Sequence, residues 1–83
     1  MNSNIEIFYT GGGITLAEID LNKSEYAVVS SDAPDYLTIY KRSEDNEKSY
    51  LPDDMLVSTS KEKITANLKP LYIKMINKLN REA

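Results

Sequence analysis

The sequence Thr10-Gly11-Gly12-Gly13-Ile14 constrains the fold of this chain more than any other stretch. It lies between two runs of β-favouring residues, 5–10 and 14–21. Glycine has no Cβ and adopts positive φ at no steric cost, as the tight turn of a hairpin requires. Phosphate-binding glycine loops lead into a helix, whereas Ile14 opens a strand-like run. The chain is therefore predicted to begin with a β-hairpin.

Two further strands are indicated by short alternating or β-branched runs bounded by turn residues. Residues 25–30 form the first of these runs, and residues 36–42 form the second. Between them, residues 31–35 have turn chemistry, with Pro34 fixing φ at a turn position. The chain is thus expected to continue as an antiparallel meander.

Three segments give less regular signals. In the second strand the apolar positions change face after Leu16, which predicts a bulge near Leu16 and Ala17. Residues 43–49 are wholly polar and are expected to form a solvated loop. Residues 55–57 are three apolar residues in a row, so they are predicted as either an edge strand or an irregular core plug.

The last part of the chain is predicted to be helical. Thr59-Ser60-Lys61-Glu62 fits a capping box, in which the Thr oxygen and the Glu carboxylate satisfy free amides of the first turn. Pro70 would kink a continuous helix, or a short helical turn ends near Asn67 and the helix restarts. We favour the restart, with Asn67 as the cap and Pro70 in the first turn. One apolar stripe results, formed by Ile64, Leu68, Leu71, Tyr72, Met75, Ile76 and Leu79.

These elements predict a single α+β domain over residues 1–83. The sheet portion, residues 1–57, is an antiparallel β-meander of four to five strands that starts with the glycine-turn hairpin. The helical portion, residues 59–82, has a break or kink near Pro70. One C-terminal amphipathic helix packs on one sheet face, because its apolar stripe needs an apolar partner.

The composition argues against an enzyme. The chain has 83 residues and neither Cys nor His, so zinc sites, thiolate chemistry and His-based acid–base catalysis lose their usual residues. The acidic run 44–47 lacks the spacing and the Gly of a calcium loop. We therefore assign no catalytic, cofactor-binding or metal-binding residue. Without a signal-like N-terminus or a long apolar run, we expect a cytoplasmic protein that does not bind membranes.

The candidate binding residues follow from strand alternation. Tyr36, Thr38 and Tyr40 share one face of their strand, and this face points away from the helix if the helix covers Leu37 and Ile39. Tyrosine combines a rigid apolar ring with a polar tip and is enriched at interfaces. The alternative is that these tyrosines are half-buried residues that pack on the pleated sheet surface and have no binding role. The acidic loop that follows adds Glu44, Asp45 and Glu47 to the candidate site.

The uneven distribution of charge along the chain bears on the three functional hypotheses. Residues 1–60 hold eleven acidic and four basic residues, a net charge of −7, and residues 61–83 carry +4. The leading hypothesis is a non-enzymatic protein-binding module without direct nucleic-acid binding, since the acidic sheet repels phosphate. One alternative is an acidic inhibitor or decoy of a nucleic-acid-binding protein, of the kind phages and mobile elements carry. The other is a homo-oligomer that binds a small ligand between its chains.

Overall fold

The computed structural model describes residues 4–42 and 52–82, with Pro52 described in its backbone only. It contains one five-stranded antiparallel sheet in the order β1-β2-β3-β4-β5, followed by one helix. The predicted α+β meander is confirmed. Two short 3-10 helices flank β5, at Pro52–Asp54 and Lys61–Lys63. The main elements are β1 Glu6–Tyr9, β2 Thr15–Asp20, β3 Glu25–Ser30, β4 Ala33–Lys41, β5 Met55–Ser60 and α1 Lys69–Glu82.

The triple glycine turns the first hairpin, as predicted. Thr10 N donates to Ile14 O at 2.8 Å, and Thr10 Oγ1 also donates to that carbonyl at 3.0 Å. Gly13 has a φ of 83°, which is where the missing Cβ is needed. β1 and β2 leave this turn in antiparallel register, with Tyr9 opposite Thr15.

The bulge predicted near Leu16 and Ala17 is wrong. Both residues pair without a register shift, Leu16 with Phe8 and Ser30, and Ala17 with Ile7 and Val29. β2 is a regular strand with apolar side chains on both faces. The change of apolar face therefore marks a two-sided strand and not a backbone irregularity.

The predicted turn at residues 31–35 is shorter in the structure. Only Ser31 and Asp32 form the turn, and β4 already begins at Ala33, so Pro34 lies inside a strand. The β3–β4 ladder shifts register here, from Val28 opposite Thr38 to Ser30 opposite Ala33. A proline is tolerated at such an irregularity because its missing N–H interrupts no regular ladder.

The capping box predicted at residues 59–62 is wrong. Thr59 and Ser60 end β5, so the sheet extends beyond residue 57, and Ser60 makes no side-chain capping bond to the short 3-10 helix that follows. Of the two alternatives for residues 55–57, the edge strand is the one observed. Paired β residues leave Thr59 no freedom to adopt the capping geometry.

The restart of the helix near Pro70 is confirmed, and its start lies slightly later than predicted. α1 begins at Lys69 with Pro70 in its first turn. The turn before it is closed by Thr65 O, which accepts from Leu68 N and Lys69 N at 3.0 Å each. Asn67 was predicted as the cap but lies in this turn, two residues before α1, and its Oδ1 accepts from Thr65 Oγ1 at 2.5 Å.

The core lies between α1 and one face of the sheet. Tyr72, Met75 and Leu79 of the predicted stripe are buried, and the other four stripe residues pack against them in part. The sheet contributes buried Ala17, Ile19, Ala27, Val29 and Leu37. Tyr72 Oη donates to Pro34 O and fixes α1 to the start of β4.

Candidate functional site

The face of the sheet opposite α1, called the far face below, carries the predicted tyrosine set. Leu37 is buried in the core and Ile39 packs against it, so alternation directs Tyr36, Thr38 and Tyr40 to the far face. All three predicted residues are therefore brought together on one surface. Glu44, Asp45 and Glu47, the acidic part of the predicted site, lie outside the described residues, as do Tyr50 and Leu51.

A groove of about 400 Å³ crosses the far face. Its origin is the register shift between β3 and β4. The segment from Ala33 to Thr38 on β4 lies opposite the shorter segment from Ser30 to Val28 on β3. Extra residues on one strand bend it and open the ladder locally. The groove is lined by Leu16, Val28, Ser30, Ala33, Tyr36, Thr38, Tyr40 and Ser58.

The groove lining combines hydroxyl groups with an apolar floor. Thr38 Oγ1 and Ser58 Oγ are 3.1 Å apart across the β4–β5 pair and share a hydrogen bond. Tyr36 is 48% exposed, so its ring is available to a bound group. Each hydroxyl can both donate and accept, and no lining residue is charged. Such a surface suits a neutral, partly apolar ligand segment with its own hydrogen-bonding groups.

One end of the groove is built from aromatic rings. The rings of Tyr26 and Tyr40 are stacked, with centroids 5.4 Å apart and planes 14° apart. The Arg42 guanidinium lies 5.9 Å from the Tyr26 centroid and forms an ion pair with Asp20. Burial, followed by the neighbouring Tyr26, raises the pKa of Tyr40 above 10.0. Tyr40 therefore keeps its proton at neutral pH and remains a hydrogen-bond donor.

Sequence reasoning missed several features of the far face. Tyr26 lies opposite Tyr40 in the β3–β4 ladder and is fully buried. Tyr9 lies on the face of α1, where its Oη donates to Glu82 Oε1 at 3.2 Å. Glu18 is buried between Glu6 and Val28 in the ladder. All buried side-chain nitrogens and oxygens of the described residues, including those of Glu18, have hydrogen-bond partners.

One acidic residue, Asp32, stands at the β3–β4 connection next to the groove. Asp32 Oδ1 accepts from the hydroxyl of Ser30, a groove residue. Asp35 lies one residue before Tyr36 and forms an exposed ion pair with Lys61, at 3.4 Å. The described rim thus contributes the negative charge of Asp32, whereas the basic residues of α1 lie on the other side of the sheet.

Within residues 4–42 and 52–82, no cluster of three or more acidic side chains is placed to hold a metal ion. In the same residues, no helix has the length and apolarity needed to cross a membrane. Comparison with protein-family models, with curated proteins and with solved structures gave no match.

Proposed function

We propose that the protein is a non-enzymatic, cytoplasmic protein-binding module whose far-face groove holds a segment of a partner protein. The observation that carries this proposal is the groove itself, an uncharged concave surface spanning four strands and lined by three consecutive far-face residues of β4, Tyr36, Thr38 and Tyr40. A rigid sheet presents these side chains at fixed spacing. Tyrosine then supplies a large contact area at a low cost in conformational entropy.

The groove chemistry favours a polypeptide segment as the occupant. The hydroxyls of Ser30, Thr38 and Ser58 lie on three adjacent strands and suit the alternating N–H and C=O groups of an extended chain. The apolar floor, with Leu16 and Val28, suits one or two side chains of that segment. At about 400 Å³ the groove fits a few residues, so a larger partner surface would rest on its rim.

Charge favours a basic partner. The first 60 residues carry −7, and the described acidic residue Asp32 is bonded to Ser30 of the groove lining. Such a field accelerates encounter with a positive surface and weakens as salt screens it, over about 8 Å at physiological ionic strength. The same field opposes direct contact with nucleic-acid phosphates.

The test starts from the partner that the tagged protein captures from lysate in the presence of nuclease, and its affinity is then measured by calorimetry. Changing Tyr36→Ala together with Tyr40→Ala is expected to weaken binding at least about tenfold, because interface tyrosines commonly contribute more than about 1 kcal/mol each. Tyr9→Ala is the matched control, since Tyr9 lies on the other face. Unchanged affinity in the double variant would refute the site.

The acidic-decoy alternative makes a different prediction in the same assay. Neutralising Glu44, Asp45 and Glu47 to their amides would then weaken binding more than the tyrosine changes do. A partner that releases nucleic acid when this protein is added would identify that function. The ligand-binding alternative instead requires a stable oligomer and a small molecule retained through purification.

A further inference from the structure

β5 is an edge strand with an unusual amount of exposed apolar surface. It pairs with β4 and ends the sheet order. Met55, Leu56 and Val57 are each between 44% and 49% exposed. The strand, with sequence MLVSTS, contains no charged residue and no proline, two of the features that protect an edge from pairing with another chain. Among residues 4–42 and 52–82, no strand pairs with the outer N–H and C=O groups of β5.

The other edge of the sheet differs. β1 has only four residues, includes Glu6, and ends at Tyr9, whose hydroxyl contacts α1. Short length and charge are common protections of an edge. β5 has one irregularity, because Val57 faces Ile39 while Met55 faces Tyr40, so that Leu56 is the extra residue. From Val57 to Ser60 its pairing is regular, which leaves a straight stretch for a further strand.

The charges that flank β5 identify its partner. Asp53 and Asp54 precede the strand, and Lys61, Glu62 and Lys63 follow it. When two copies of this segment are placed antiparallel, the acidic end of each lies beside the net-basic end of the other, twice by symmetry. A parallel arrangement would place like charges together. We propose that β5 pairs antiparallel with β5 of a second copy of this chain, forming a two-fold symmetric dimer.

The symmetry fixes the arrangement of the two subunits. A two-fold axis between antiparallel neighbouring strands runs perpendicular to the sheet, so each face of one sheet continues into the same face of the other. The result is a ten-stranded sheet with both α1 helices on one side and both far faces on the other. This proposal uses the strand edge and does not depend on what the groove binds.

The first test is the concentration dependence of mass, by analytical ultracentrifugation of the whole chain at low salt. We expect a reversible monomer–dimer equilibrium. Leu56→Lys should raise the dissociation constant at least about tenfold, because it places a charge in β5 of each copy, at the edge where the two strands pair. Ile73→Lys is the matched control, with the same charge change at 48% exposure against 49% for Leu56. A monomer up to millimolar concentration, or equal effects of the two variants, would overturn the proposal.

The second test determines orientation and does not depend on Leu56→Lys folding well. Asp53→Lys and Lys63→Glu should each weaken the dimer by about fivefold to thirtyfold, since each removes two attractions and creates two repulsions. The two changes in one chain should restore association, because the charges are then exchanged and again complementary. Single changes without effect, or a double variant no better than either single one, would exclude the antiparallel pairing.

Discussion

Met75 is the residue whose truncation most directly tests the packing of α1 on the sheet. Its side chain is 0% exposed and belongs to the cluster that also contains Tyr72, Leu79 and two small sheet residues, Ala17 and Ala27. Alanine at both sheet positions leaves space that the long Met side chain fills. Neither alanine can expand into the space if Met75 is shortened, so Met75→Ala should leave a cavity.

The free energy of unfolding that Met75→Ala should remove has two parts, the lost burial of the side chain and the cavity that it leaves. A fully buried Met contributes about 1.5–3 kcal/mol by transfer from water, and truncation to Ala in a core costs about 2–5 kcal/mol in total. We expect about 3 kcal/mol for Met75→Ala, because the surroundings collapse little. A chain of 83 residues has a total stability of about 4–12 kcal/mol, so this one change removes a large part of it.

The assay is equilibrium unfolding in urea together with thermal unfolding, both followed by circular dichroism. At this domain size a loss of about 3 kcal/mol lowers the midpoint temperature by about 12–24 °C. Met75→Leu keeps the volume and should cost less than about 1.5 kcal/mol. Ile73→Ala, on the exposed side of the same helix, should change stability by less than about 0.5 kcal/mol. Equal costs for Met75→Ala and Ile73→Ala would refute the packing of α1 described here.

Two further predictions concern the turn and the buried tyrosine. Gly13→Ala should destabilise by about 1–2 kcal/mol in urea unfolding because Gly13 has a φ of 83°, whereas Gly12→Ala, where no positive φ is recorded, should be neutral or slightly stabilising. Tyr72→Phe removes the hydrogen bond to Pro34 O and should cost about 0.5–1.5 kcal/mol at neutral pH. Burial raises the pKa of Tyr72 above 10.0, so the folded state retains this proton more strongly, and stability present below pH 10.0 should fall as pH rises beyond it. The alkaline loss should be smaller in Tyr72→Phe, and an identical pH profile would contradict this reasoning.

The parts of the fold that were predictable are those set by local sequence. The glycine turn needs only Gly13 and the flanking strands, and β3 was predicted with its observed bounds, 25–30. The helix stripe through Tyr72, Met75 and Leu79 follows from its period alone. Pro70 could be placed in a first turn because proline is excluded from helix interiors.

The failures occurred where tertiary pairing outweighed local preference. Thr59 and Ser60 have the sequence of a helix start, but β4 offers them strand partners in Leu37 and Tyr36. Pro34 has the sequence of a turn, but the β3–β4 irregularity accommodates it within β4. In both cases the deciding contact comes from a distant part of the chain, and periodicity within a window contains no information about it.

The candidate site also has a part that could be predicted from the sequence and a part that depends on pairing between distant strands. Alternation placed Tyr36, Thr38 and Tyr40 on one face, because that requires only the strand and its covered side. Leu16, Val28 and Ser58 could not be added, since they come from three other strands and no local pattern specifies the register between strands. The groove exists because those strands are neighbours and because β4 carries extra residues opposite β3.

Leu16 is the residue that led to the wrong bulge prediction, and it also lines the groove of the proposed binding site. In an antiparallel sheet covered on one side, the uncovered strand face is commonly polar, so an apolar residue out of phase was interpreted as a bulge. The register shows that Leu16 points to the far face in a regular strand, and Val28 and the buried Tyr26 do the same on β3. These residues cannot serve the core beneath α1. An apolar floor under a rim of hydroxyls instead suits a binding groove, so the departure from simple alternation in β2 is consistent with the far-face site proposed above.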